Sequence, residues 1–378
     1  MSPPRRGQGL RLETPSRPRN ERPMKNNTSV RDLHPTFLGL SSAFPKNAYL
    51  QKDLHETFGK QMYGDIAALE RIIRRVRVKR RYLALDPNEV LGRKVGLGER
   101  MAIFEREVLE VGGRSLEAVL RKVDRETIGS FVMASSTGYI APTPDLLLAR
   151  QHHLPSRLRR TFVGNMACNG GMNALNVALD SLLARPDERV LLNCTEFSSL
   201  HVRPEESSRE QVVVHALFAD ASASTVMSME PPGVGPQVLD FTSTHLYDAV
   251  DLMTWRLVDE GFRMTLSPEV PGLIGEHIDS LIGTLTARAG LSTSDIKHWA
   301  IHPGGPKIVE VIGQKYGLTD TQLRSTWHIL EEYGNCSSAT VFLVLEDMIA
   351  QDKPLPGEYG VMLAFGPGLT MEGALLRF

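Results

Sequence analysis

Three residues able to do chemistry together follow one another along this chain, each in a segment of small and turn-forming residues. They lie in Met166-Ala167-Cys168-Asn169-Gly170-Gly171, Ile301-His302-Pro303-Gly304-Gly305-Pro306 and Tyr333-Gly334-Asn335-Cys336-Ser337-Ser338. A thiol supplies a nucleophile, an imidazole a proton partner and a carboxamide a hydrogen-bond donor. That set can capture an acyl group and then stabilise an enolate. Taken singly, each has a plainer reading: free cysteine is a common core residue, His302 is one of eleven histidines, and asparagine is a good helix N-cap. The constellation, not any one member, points to catalysis.

The spacing around each residue adds a physical reason. A cysteine at a helix start feels the positive end of the helix dipole, which lowers its pKa and favours the thiolate, and a nearby His302 adds to this. Gly170 and Gly171 allow a substrate carbonyl to approach the backbone, where the Cys168 N–H would polarise it. His302 follows an apolar run and precedes Pro-Gly-Gly-Pro, a loop opener that would hold the imidazole at a strand end, where α/β folds place ligands.

The elements that must position these groups read as alternating strands and helices. Strands are expected at 36–40, 131–134, 189–193, 223–227, 299–302 and 360–364, with helical patterns at 103–123 and 273–289. This alternation predicts an α/β layered fold with buried sheets. Aligning Cys168 on Asn335 gives a weak internal repeat in which small residues lead into an apolar helix and then a strand, so two similar halves are expected. Residues 1–28 are rich in Arg and Pro and read as a disordered tail, with 29–240 as the half carrying the nucleophile and 241–378 as the half carrying His302 and Asn335. Met24 is a possible natural start, and no hydrophobic signal segment is apparent.

Composition narrows the classes. The chain has 378 residues, 42% hydrophobic and 23% charged, enough to bury a large core. A net charge of -1 gives no global field toward nucleic acid or an anionic membrane. No apolar run approaches the ~20 residues that span a bilayer. Three cysteines, Cys168, Cys194 and Cys336, argue against a disulfide framework and for reduced thiols in the cytoplasm. His152-His153 lacks further ligands nearby, so no metal site is expected.

With these motifs in hand, the chain resembles the type III polyketide synthases of the chalcone and stilbene synthase kind, within the thiolase-fold condensing enzymes, and in a bacterial-like form. The resemblance runs from about Thr36 to Phe378. Besides the three segments above it rests on Lys79-Arg80-Arg81-Tyr82, Ser136-Thr137-Gly138, Leu217-Phe218-Ala219-Asp220, Gly261-Phe262 with Val270-Pro271-Gly272-Leu273-Ile274, and Phe365-Gly366-Pro367-Gly368-Leu369-Thr370-Met371-Glu372. It implies duplicated α/β halves in a five-layer α-β-α-β-α arrangement and a homodimer. It also implies a mechanism in which Cys168 takes a starter acyl group, while His302 and Asn335 hold the thioester oxygen of malonyl-CoA during decarboxylation. Claisen condensation, repeated extension and cyclisation then release a pyrone, resorcinol or related product. CoA thioesters enter as substrates, and no cofactor is implied.

By position in the family, Phe218 is a gatekeeper near the CoA entrance, Ser337 lies beside the asparagine, and His201, Trp255 and Met264 shape the cavity. Met264 departs from the aromatic gatekeeper of plant enzymes and would yield around a linear or fatty starter, whereas Trp255 replaces a small residue and would close part of the cavity. Ala167 and Asn169-Gly170-Gly171 also depart from the usual setting, leaving Asn169 as a polar contact or a cap.

The basic segment Arg71 to Arg81 reads as a solvated helix face or as a phosphate site. The resemblance assigns Arg71, Arg75 and Lys307 to CoA phosphates, and the same cations could dock an acyl carrier protein delivering the starter. Nucleic-acid binding lacks the accompanying aromatic and groove-reading features. Two alternatives stand beside the synthase reading: a single-condensation β-ketoacyl-carrier-protein synthase III-like enzyme, and a non-catalytic thiolase-fold partner, which the presence of Cys168 disfavours.

Overall fold

The computed structural model describes residues 33–64, 67–91, 95–121, 123–204, 206, 208–258 and 261–378. The expected tail at 1–28 lies outside them. The strands in chain order are β1 (His34–Ala43), β2 (Ala48–Leu50), β3 (Arg80–Tyr82), β4 (Ile128–Ser135), β5 (Arg159–Gly164), β6 (Arg189–Phe197) and β7 (Asp220–Glu230). They continue with β8 (Gln237–His245), β9 (Met253–Val258), β10 (Gly261–Leu266), β11 (Ile296–Ile301), β12 (Tyr359–Gly366) and β13 (Thr370–Arg377).

Side chains along the long strands alternate between two different cores, so both faces are buried and the strands read as continuous apolar runs. In β4, Val132 and Ala134 enter a central core while Phe131 and Met133 enter an outer one. In β12, Met362 and Ala364 face that same central core, and Val361, Leu363 and Phe365 face a third. The central core is filled by the helices Gly170–Ala184 and Thr340–Asp347. Helical residues from 103 to 120 cover one sheet and the helix Val270–Arg288 covers the other. The result is the helix, sheet, helix, sheet, helix order expected from the resemblance.

Strand order shows the duplication directly. One part of the sheet runs β5-β4-β6-β7-β1 and the other β8-β13-β12-β11. In each, a parallel pair (β4 with β6, β11 with β12) is followed by two antiparallel neighbours. The parts meet where Thr36 pairs with Gln237. The register of the repeat differs from the sequence alignment. The central helices begin at Gly170 and Thr340 and the strands after them at Arg189 and Tyr359, each pair 170 residues apart. Cys168 therefore corresponds to Ser338, not to Asn335. The matched residues Ala167 and Ser337 both carry positive φ, 46° and 51°. Asn335 falls three residues earlier because it first forms a bridge to Phe218 before its turn begins.

Candidate active site

Cys168 sits in the short turn Ala167–Asn169 that opens the first central helix, and it is buried. Three contacts fix this turn. Ser136 Oγ accepts the Ala167 N–H at 2.7 Å. Asn169 Nδ2 donates to the Thr370 carbonyl at 3.2 Å and to its hydroxyl at 2.5 Å, so Asn169 is a tether to β13 and makes no side-chain cap. Gly366 in β12 lies so close that an added Cβ would come within 2.8 Å of the Asn169 side chain.

One of the neighbouring glycines has a packing role. A Cβ on Gly171 would meet the Ser338 carbonyl oxygen at 2.2 Å. Gly171 thus lets the starts of the two central helices pack closely, so its small size serves packing between the halves.

Asn335 is held at both ends of its backbone by the strand-like bridge to Phe218, its N–H donating to Leu217 and its carbonyl accepting from Ala219, both at 2.9 Å. Its Oδ1 accepts the Ser337 N–H at 2.8 Å. The acceptor end of the amide is therefore occupied, and Nδ2 is left facing Cys168 Sγ at 4.0 Å.

His302 lies one residue past β11, completely buried, with its backbone N–H on the Leu363 carbonyl of β12 at 2.8 Å. Both ring nitrogens lack a hydrogen-bond partner among the described residues. A buried imidazole with both nitrogens open is costly unless water or a ligand completes it. The strand that holds His302 is also the one packed on the Cys168 turn, so β12 relates the two halves of the site.

Burial dominates the electrostatics. It pushes the Cys168 thiol up to about 12, with the Ser337 and Asn335 side chains working the other way, and depresses His302 to about 3. Either charge alone is disfavoured, so burial works against the ready thiolate expected from the helix start. Glu196 is also raised, to about 7, chiefly by burial. Its carboxylate accepts from the Ser136 N–H and the Thr137 hydroxyl, both at 2.9 Å, and from the Ser338 hydroxyl at 2.6 Å. Glu196 thereby ties the loop that holds Ala167 to the turn after Asn335. The sequence reading passed over it, although a lone acid inside the apolar β6 was a signal.

The cavity residues divide as follows. Phe218, Trp255, Met264 and Ser337 line one cavity with Cys168, together with Thr137 and Ser198. Met264 and Trp255 are directly opposed in the β9–β10 hairpin. Trp255 stacks on Phe262 at 5.3 Å between ring centroids and donates through Nε1 to the Ser136 carbonyl at 2.9 Å. His201 lies in the adjoining cavity, edge-on to Phe262. Its Nε2 donates to the Thr137 carbonyl at 2.7 Å, which fixes the tautomer, and burial lowers it to about 4.

Arg71, Arg75 and Lys307 line neither cavity; all three are exposed. Lys307 pairs with Glu310 at 3.2 Å. Most of the remaining basic segment is engaged: Arg77 and Lys79 with Glu331, Arg80 with Glu332, and Arg81 inside the protein. Among the described residues no group of three His, Cys, Asp or Glu side chains is placed to hold a metal ion.

Comparison with known proteins gives matches across the described chain. Residues 24–231 match the N-terminal domain, and residues 239–378 the C-terminal domain, of chalcone and stilbene synthases. A 1,3,6,8-tetrahydroxynaphthalene synthase from Streptomyces peucetius subsp. caesius is 32% identical over 93% of this chain and 95% of its own. A 3,5-dihydroxyphenylacetyl-CoA synthase from Streptomyces toyocaensis is 30% identical over 91% of this chain and 90% of its own. Among solved structures, the C-terminal type III polyketide synthase domain of a type I/III hybrid from Dictyostelium superposes with a TM-score of 0.84 at 27% identity, covering 91% of this chain and 99% of that one.

Proposed function

The chain belongs to the chalcone and stilbene synthase family of type III polyketide synthases, which are condensing acyltransferases, and from that premise we propose that Cys168, His302 and Asn335 carry its reaction. Sγ of Cys168 attacks the carbonyl of a starter thioester as its proton passes to His302. The CoA thiol leaves with that proton, and the acyl group stays on sulfur. Malonyl-CoA then sits with its thioester oxygen between the His302 ring and Asn335 Nδ2. Loss of carbon dioxide sends the bond's electron pair into an enolate, whose carbon attacks the acyl carbonyl and expels the cysteine thiolate. Repeated extension and cyclisation give a pyrone, resorcinol or related product.

The observation that carries this reading is the free donor of Asn335 facing Cys168 Sγ at 4.0 Å. It is supported by a buried histidine with both ring nitrogens unsatisfied. In this reading proton transfer creates a thiolate–imidazolium pair whose mutual attraction offsets the burial cost that each charge bears alone, and the helix start adds to it. Iteration is favoured over a single-condensation synthase III-like activity by family membership, and the CoA thioesters are read as substrates with no cofactor beside them.

Phe218, Met264, Ser337, His201 and Trp255 shape the starter and product cavity in this reading, and Arg71, Arg75 and Lys307 receive the CoA phosphates. The starter arrives on CoA or on an acyl carrier protein. The segments 29–240 and 241–378 act as the two thiolase-like halves, and the enzyme works as a cytoplasmic homodimer. Three free cysteines agree with a reducing compartment.

Purified protein, malonyl-CoA and a panel of aromatic, short-chain and long-chain acyl-CoAs, with product mass spectrometry, test the proposal. Cyclised products holding several malonyl-derived units, absent with Cys168→Ala, are expected. A lone β-ketoacyl product, or full activity in the variant, would overturn it.

A further inference from the structure

Three cavities stand in series behind Cys168. The cavity against the thiol shares Ser198, Phe218, Trp255 and Met264 with a second. That second cavity is walled largely by apolar side chains, among them Leu54, Phe58, Leu85 and Val214. It shares Leu54, Phe58, Arg81 and His215 with a third, which has no wall residue in common with the first. The order is therefore fixed: thiol chamber, apolar middle, far end under the helical segment 51–63.

The far end is polar in an unusual way. Gln51 Oε1, His55 Nδ1 and Arg81 Nε are buried without a hydrogen-bond partner among the described residues, and all three side chains line this one cavity. Gln51 is only 4% exposed and Arg81 7%. Their other atoms are fixed. Gln51 Nε2 donates to the Ala216 carbonyl at 3.1 Å, which leaves the amide oxygen as the open end. Arg81 donates through one terminal nitrogen to the His215 and Phe218 carbonyls at 2.6 and 2.8 Å, which leaves the Nε edge open. Buried polar atoms are rarely left in this state, and a group of three at one cavity calls for a polar partner, water or a ligand group.

We propose that the starter acyl chain runs from Cys168 past Trp255 through the apolar cavity, and that a hydroxyl at its far end is recognised by Gln51, His55 and Arg81. This rests on the synthase reading for the position of the thioester. A hydroxyl suits the site because it both donates, to Gln51 Oε1, and accepts, from Arg81 Nε. A carboxylate would set lone pairs against the Gln51 oxygen, and a methyl end would leave all three atoms unpaired. Trp255 is the partition the chain must displace, since it walls both of the first two cavities and is held by Ser136 and Phe262.

Binding to the full-length Cys168→Ala protein, measured by calorimetry, tests this without requiring turnover. The ligands are straight-chain acyl-CoAs from butanoyl to dodecanoyl, each with and without a terminal hydroxyl. At one chain length the hydroxylated member is expected to bind about 10-fold tighter, since a site with unpaired polar groups rejects the analogue that lacks the matching one. His55→Phe with Gln51→Met should erase that preference and leave butanoyl-CoA binding unchanged. Leu54→Trp, which fills the apolar middle, should weaken only the long chains. No length at which the hydroxyl matters would mean that water fills the far end, and would overturn the inference, as would long-chain binding unaffected by Leu54→Trp. A protein that shows the preference but makes no polyketide would keep this inference and remove the synthase reading.

Discussion

Asn335 presents its side-chain N–H, not its oxygen, to Cys168, with Nδ2 at 4.0 Å from Sγ. The orientation follows from the Ser337 N–H, which occupies Oδ1 from the other side. An amide pinned in this way is a preorganised donor for negative charge that develops near the sulfur. Losing one such donor is expected to slow condensation by about 10²–10³-fold. Asn335→Ala should show that loss in malonyl-CoA decarboxylation and product formation, while intact-protein mass spectrometry still finds the starter acyl group on Cys168. Asn335→Asp should be as slow, because it turns an acceptor toward the enolate. Equal loss of acyl loading and condensation would show that Asn335 acts through folding.

Burial places Cys168 and His302 at opposite extremes, about 12 and about 3, and in the proposed reaction the imidazole is the acceptor of the thiol proton. His302→Ala leaves the thiol with its burial-raised value and no acceptor. Alkylation of Cys168 by iodoacetamide at neutral pH should then fall by about 10-fold or more, since only the thiolate reacts. The variant's rate should climb steadily to pH 10 with no plateau. A wild-type and variant pair with the same pH profile would detach His302 from the thiol.

Glu196 gives a pH dependence of stability opposite to that of a surface carboxylate. Its folded value, about 7, lies above the ordinary 4.5, so the native state holds the proton more tightly than the unfolded chain. That contribution is fully present below about pH 4.5 and is lost as pH rises through 7. Glu196→Gln keeps an acceptor for the Ser136 and Thr137 donors and removes the titration. Relative to wild type, the variant should gain stability between pH 5 and pH 8, on the order of 3 kcal/mol at the upper end. Urea unfolding at the two values checks it; a gain that is the same at both would assign the effect to something other than ionisation of Glu196.

The fold and the segments that carry the proposed trio were legible because their signals are local: apolar runs of strand length, helices at 3.6-residue spacing, and turn residues around Cys168, His302 and Asn335. What escaped the sequence depends on contacts between distant segments. The 170-residue register of the repeat was hidden because Asn335 enters a bridge to Phe218 before its helix turn. The packing role of Gly171 was hidden because nothing nearby in sequence says that Ser338 lies against it. Glu196 was missed because its three partners come from residues 136–137 and 338. Helix-start position argued for a low Cys168 pKa, but it could not weigh the burial that five layers impose.

The basic segment 71–81, which the sequence left open between a solvated face and a phosphate site, is sorted by its partners. Arg77 lies over the Trp327 ring at 4.0 Å and pairs with Glu331 at 2.7 Å, a structural arrangement that links it to the C-terminal half. Arg74 pairs with Glu70. Arg71 and Arg75 have no ion pair among the described residues, so their charge is open to an incoming anion. Arg71→Ala with Arg75→Ala should raise KM for CoA thioesters by about 3–10-fold at low salt and leave kcat unchanged, with the difference shrinking as salt screens the charges. N-acetylcysteamine thioesters, which carry no phosphate, should show no change. Arg77→Ala should instead lower Tm through loss of the ring and carboxylate contacts and leave KM as it was. Should both thioester types lose affinity equally in the double variant, the two arginines would be assigned to the shape of the entrance and not to the phosphates.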